Sequence, residues 1–223
     1  MFFMRFQKHH KLSEIGEKSL AALEKKTVTI IGLSSVGSVI AEILTRSHVS
    51  LRLIDKGRVE EEDLLTSSLY NPEEITRFKA KEAKKLLERI NPQAKIKTFH
   101  EELTDKNTFL IDADLVIDCS NNTDTMELIQ KRCKSAKLNC ITVYYAGAEF
   151  LFLSTKGGYT YAKWQSQVDK LGTVKENGLL APLSHIAGGL AATEAIKALL
   201  GKFAPKKPFL YNALTGAKKE FSL

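Results

Sequence analysis

The stretch "TIIGLSSVGSVIAEIL", residues Thr29–Leu44, decides the fold. Its first residues continue the apolar run "KTVTIIG", the composition of a strand covered on both faces. Gly32 to Gly37 form a turn of small residues, after which Val39, Ile40, Ile43 and Leu44 recur at helical spacing. "SLRLID", ending at Asp55, reads as a second strand, so strand, helix and strand fall within about thirty residues, the length of a βαβ unit.

Working outward, Ile15, Leu20 and Leu23 predict a short amphipathic helix over Ser13–Leu23, just ahead of the first strand. Lys56 to Pro72 is a polar, acidic connection, and Ile75, Phe78, Leu86, Leu87 and Ile90 mark one face of a helix that stops at Asn91-Pro92. "AKIKTFHEEL", "ADLVIDCS" and "LNCITVYYAG" read as strands, with a helix through Cys133 between the last two. "AEFLFLSTKGGYTYAKW" is expected to be a hairpin turning at Gly157-Gly158, and Gln165 to Gly178 an irregular, mobile crossover segment. "APLSHIAGGLAATEAIKALLG" opens with Pro182 and closes with Gly201 as a helix does, and its Gly188-Gly189 pair predicts close packing. "PFLYNALTGAKKEFSL" reads as a final hairpin around Thr215-Gly216.

The expected class is therefore α/β: a Rossmann-like fold, mainly a parallel sheet with helices on both faces, followed by C-terminal antiparallel hairpins. We divide residues 1–223, a single domain, into an N-terminal helical arm (1–25), a nucleotide-binding part (26–150) and a crossover segment, helix and hairpin (151–223).

In such a loop glycines serve the tight turn, the approach of backbone N–H groups to phosphate, and helix-on-strand packing. Gly32 and Gly37 stand at the first and last of these jobs, while Ser34 and Ser35 stand where the approach glycines would be. Asp55 ends the second strand about 20 residues on, where a carboxylate can accept from ribose hydroxyls. The combination favours nucleotide binding. An NAD(P)-dependent oxidoreductase is a weaker alternative, since it rests on Gly32, Gly37 and Asp55 only.

Of the 223 residues, 43% are apolar and 8% aromatic, and 33 Lys and Arg against 26 Asp and Glu give a net charge of +7. The lysines are dispersed, without the aromatic interleaving of a nucleic-acid motif. Neither a membrane span nor a secretory signal is present, so a cytoplasmic protein is expected. The three cysteines, Cys119, Cys133 and Cys140, form no CxxC pair and are expected to be inert thiols without zinc. His9 and His10 read as surface residues and His185 as a packing histidine; no metal-ligating set is predicted.

With these pieces in place the chain resembles the ThiF/MoeB family, adenylating enzymes related to the ubiquitin-activating enzymes. The resemblance is carried by "RFQKHHKLSEIGEKSLAAL", "VTIIGLSSVGS", "LRLIDKGRVEEEDLLTSSLY", "RFKAKEAKKLLERINPQAKI", "ADLVIDCSNNTDTMELIQKRC", "GLLAPLSHIAGGLAATEAIKALLG" and "LYNALTGAKKEFSL". It implies a dimer that binds ATP and Mg²⁺ and adenylates the C-terminal glycine of a ubiquitin-like or sulfur-carrier protein.

Carried over by position, the family's nucleotide-holding acid falls on Asp55, its lysine on Lys79, and the Asn of its acid-Asn pair on Asn122. The magnesium-holding acid falls on Asn121, the arginine of the "SNLxRQ" segment on Thr66 with Asp63 replacing the asparagine, the N-terminal arginine on Lys8, and a second acid on Gly57. The implied catalytic set is thus Lys79, Asn121 and Lys8, and the implied nucleotide set Gly32, Ser34, Ser35, Gly37, Asp55, Lys79 and Asn122. An amide at Asn121 weakens Mg²⁺ binding, Thr66 removes a fork of donors, and Lys8 offers a point charge. Each such loss costs about 10² to 10³ in rate. These departures predict reduced or lost adenylation, with Asp118, Asp124 or Asp63 as acids that could stand in, and with a non-catalytic pseudoenzyme or partner subunit as the alternative.

Overall fold

The computed structural model of the chain describes residues 11–12, 16–159, 161–202, 205 and 207–222. The apolar run Thr27–Ile31 (β1) lies between Ser50–Ile54 (β2) and Leu115–Asp118 (β4), parallel to both. Ile96–Phe99 (β3) pairs with β2, and Asn139–Ala146 (β5) with β4, again in parallel. From β5 onward the sheet is antiparallel, through Glu149–Lys156 (β6), Phe209–Asn212 (β7) and Lys218–Glu220 (β8). The order β3-β2-β1-β4-β5-β6-β7-β8 forms one sheet across both the 26–150 and 151–223 portions.

Alternation along β1 divides the core, as the two-residue period of a strand requires. Val28 and Ile30 face one cluster, whereas Ile31 faces another with Val116, Ile129 and Cys133. The first face is covered by Ser35–Arg46 (α2), Lys79–Ile90 (α4) and Ala181–Leu199 (α8), the second by Thr123–Ala136 (α5). Ahead of β1 lies Gly16–Leu23 (α1), and Asp63–Thr66 (α3) is a single turn within the connection from β2 to α4. Helix α8 approaches α2 closely: a Cβ on Gly188 would sit 2.6 Å from Val39 Cγ1, whereas one on Gly189 would meet open space. Only half of the glycine pair is therefore there for packing.

Three expectations are corrected. The hairpin joins β5 to β6 at Gly147, and Gly157-Gly158 instead ends β6 and leads into Tyr161–Leu171 (α6), with Val174–Asn177 (α7) beyond. Residues 165–178 are thus largely helical. Trp164 explains the difference: it is fully buried against β5 and β6 residues Tyr144, Leu151 and Leu153, and that burial anchors a helix where local alternation suggested a strand. His185 is exposed rather than packed inside. Part of the expected first helix, residues 13–15, and both His9 and His10 lie outside the described residues.

Candidate functional site

In this sheet the strand order reverses between β1 and β4, and the crevice at their carboxyl ends is where open α/β sheets take ligands. The loop between β1 and α2 forms its floor. Gly32 has φ +84°, and a Cβ there would come 2.4 Å from the Cys119 carbonyl oxygen; one on Gly37 would come 1.9 Å from the Gly32 carbonyl oxygen. Both glycines therefore hold the turn against its neighbours. Leu33 N donates to Asp55 Oδ2 at 2.7 Å, and Gly57 N donates to Oδ1 at 2.6 Å. Asp55 thus braces the loop, and each of its oxygens keeps a second lone pair for a ribose hydroxyl.

Behind Ser34 the cleft is already occupied by charge. Lys79 Nζ donates to Ser34 Oγ at 2.7 Å and pairs with Asp63 Oδ2 at 2.9 Å, both charged side chains being buried. Asp63 Oδ2 also accepts from Glu60 N at 2.9 Å. Ser35 and Thr66 share a buried hydroxyl–hydroxyl hydrogen bond of 2.6 Å, so Thr66 is turned onto the loop. The Tyr70 hydroxyl donates to the carbonyls of Leu33, at 3.0 Å, and Lys79, at 3.3 Å, tying loop to helix α4; burial pushes its phenol well up. Tyr70 carried no signal in the sequence reading.

At the end of β4, Asn121 adopts the left-handed region with φ +50°. Its Nδ2 donates to the Tyr145 carbonyl at 3.1 Å, and its Oδ1 accepts from Tyr145 N at 2.9 Å. Backbone pairing between β4 and β5 stops at Asp118 and Thr142, so the Asn121 amide carries the ladder on as a peptide group would. Asn122 caps α5, its Oδ1 accepting from Thr125 N at 2.9 Å. Asp118 is buried beneath: Oδ1 accepts from Ser120 N and Oγ at 3.1 and 2.8 Å, and Oδ2 has no partner. Burial pushes its carboxyl up to about 6, against the lowering pull of Ser120.

The resulting open cleft measures about 620 Å³, a size for a mononucleotide, and is lined by Gly32, Ser34, Ser35, Asp55, Lys79, Asn121 and Asn122. Gly37 is buried and does not line it, and Lys8 lies outside the described residues. Among the described residues the lining carries five carboxylates, on Asp55, Glu62, Asp63, Glu101 and Glu102, against two ammonium groups, on Lys56 and Lys79, an excess of three negative charges. Both ammonium groups are already paired, Lys56 with Glu102 and Lys79 with Asp63. Among the described residues no three His, Cys, Asp or Glu side chains gather as a metal-holding group. Magnesium is ordinarily held by one or two carboxylates together with substrate phosphates. With Asn121 Oδ1 accepting an N–H bond, this donor set suits the ribose end of a nucleotide and does not suit Mg²⁺ at position 121.

These features define an open cleft at the carboxyl ends of the parallel strands of an α/β sheet. Residues 6–223 match the ThiF family, and the chain belongs to it. It is 29% identical to the molybdopterin-synthase adenylyltransferase of Escherichia coli (strain K12), over 91% of this chain and 85% of that one, and 27% identical to the same organism's sulfur carrier protein ThiS adenylyltransferase, over 89% and 82%. A probable molybdopterin-synthase adenylyltransferase of Pyropia yezoensis is 29% identical, and the chain spans 61% of its length. Among solved structures, E. coli MccB with ATP superposes with a TM-score of 0.82 at 16% identity, covering 98% of this chain and 71% of that one. PaaA superposes at 0.79 with 19% identity, covering 99% and 82%. These two likenesses establish the fold.

Proposed function

We propose that the chain holds the adenosine part of a nucleotide between the Gly32–Gly37 loop and Asp55, recognises a ubiquitin-like or sulfur-carrier protein, and has reduced or lost adenylation. Support for the carrier comes from the relatives' names, which include a sulfur carrier protein adenylyltransferase. The reading of diminished chemistry is carried by one observation: the Asn121 amide is bonded at both ends to the Tyr145 backbone. Attack of a carboxylate on an α-phosphate requires the charge of the departing pyrophosphate to be matched by fixed donors and cations. Here the lysine of the cleft is paired with a carboxylate and the arginine position holds Thr66.

The second reading, a non-catalytic pseudoenzyme or a partner subunit that pairs with an intact activating enzyme, is favoured by Thr66, whose hydroxyl bonds to Ser35; the chain forms a homodimer or, under the partner-subunit reading, a heterodimer with a related subunit. Under either reading we place the protein in the cytoplasm, a compartment suited to its three free, buried thiols. No helix among the described residues is long and apolar enough to cross a membrane. The test is calorimetric titration with adenine nucleotides, with NAD as control, followed by ATP–pyrophosphate exchange with candidate carriers. Saturable adenine-nucleotide binding with exchange at least about 10²-fold below the E. coli adenylyltransferases is expected. Exchange at their level would overturn the reading of diminished chemistry.

A further inference from the structure

We propose that Asp63 sets the ligand class of this cleft, selecting a nucleoside or nucleoside monophosphate and rejecting polyphosphates. The proposal rests on the nucleotide reading above and adds the property that distinguishes this chain's ligand. Asp63 is buried at the mouth of the loop, where its Oδ2 lies 2.9 Å from Lys79 Nζ. The same ammonium group donates to Ser34 Oγ, at the start of α2, where phosphate would meet the helix N-terminus. Among the described residues the one buried cation of the cleft is therefore neutralised at the point where successive phosphates would need it.

Lys56, the other cation among the described lining residues, pairs with Glu102. A polyphosphate entering this site would either displace Asp63 from Lys79, leaving a buried carboxylate with the Glu60 N–H but no countercharge, or lie against the three excess negative charges of the described lining. The ribose end has no such conflict. Asp55 is braced by two backbone N–H groups, and its free lone pairs ask only for neutral hydroxyl donors. Affinity in this cleft is consequently supplied by the nucleoside and falls with each phosphate beyond the first.

The experiment is calorimetric titration of the full chain with adenosine, AMP, ADP and ATP, in chelator and at fixed ionic strength, for the wild type and Asp63→Asn. The asparagine is isosteric, and its Oδ1 can still accept from Glu60 N and Lys79 Nζ, so folding should survive; a melting curve checks this. In the wild type AMP should bind at least about tenfold more tightly than ATP, and Asp63→Asn should raise ATP affinity about tenfold or more while changing adenosine less than about twofold. Raising salt from about 50 to about 300 mM should strengthen wild-type ATP binding, because screening relieves repulsion, where a cationic phosphate site would weaken. Adenosine binding with ATP as tight as AMP, or with an ATP-to-AMP ratio unmoved by Asp63→Asn, overturns this proposal and leaves the nucleotide reading standing. Failure of all four ligands to bind overturns the nucleotide reading, and this proposal with it.

Discussion

Replacing Asn121 by Asp restores the acid expected at that position, and the structure predicts that it destabilises the fold instead of reviving chemistry. The wild-type amide makes two bonds to one residue, Tyr145 N to Oδ1 at 2.9 Å and Nδ2 to the Tyr145 carbonyl at 3.1 Å. A carboxylate keeps the first and forfeits the second, which is worth about 1 kcal/mol net. It also sets an anionic oxygen against a buried carbonyl left without its donor, a further penalty of about 1–3 kcal/mol. The sum, about 2–4 kcal/mol, corresponds to a drop of roughly 4–16 °C in the melting midpoint of a chain of this length. Thermal unfolding followed by circular dichroism at neutral pH measures it. Acidification supplies a second signature, because a protonated carboxyl can donate to the Tyr145 carbonyl and the deficit should shrink as the aspartate takes up its proton. A melting midpoint within about 1 °C of the wild type at neutral pH would refute the view that Asn121 serves as a ladder residue.

Four further outcomes can be checked. Asp118 holds its proton up to about 6 in the folded chain and to about 3.8 when unfolded, so the folded state is favoured by protonation between these values. Stability should fall by up to about 3 kcal/mol as pH rises through that window and level off above it, and Asp118→Asn should abolish the slope in urea titrations. Gly188→Ala should cost about 1–3 kcal/mol through its clash with Val39, and a Val39→Ala partner should recover part of that loss in a double-mutant cycle. Trp164→Ala should cost about 3–5 kcal/mol in denaturant unfolding, and Trp164→Phe distinctly less, because the buried indole N–H has no partner to lose. Asp55→Ala should weaken adenosine binding by at least about tenfold in calorimetry, since it removes both the ribose acceptor and the brace on Leu33 and Gly57.

The parts legible in the sequence were those in which a single local period dominates. The buried run ahead of Gly32, the helical spacing after it and the acid at Asp55 all lie within one βαβ unit, and the structure assembles them as read. The hairpin expected at Gly157-Gly158 failed because glycines and alternating aromatics satisfy a local turn pattern, whereas burial of Trp164 and Val168 against β5 and β6 is a tertiary effect. Within the site, Asp63 and Lys79 are both visible as residues, but their pairing depends on how the connection from β2 to α4 folds back. Asn121 offered no sequence sign of its structural use, because an amide that continues a backbone ladder has the same letter as one that faces a ligand.

The interlock of Gly37 over the Gly32 carbonyl has a bearing on how such chains drift. Any side chain at position 37 collides with the backbone it sits on, so foldability alone demands that glycine, whatever the loop binds. The glycines of the loop therefore report the mechanics of the first βαβ unit, and Asp63, Thr66 and Asn121 around it can change without altering the turn.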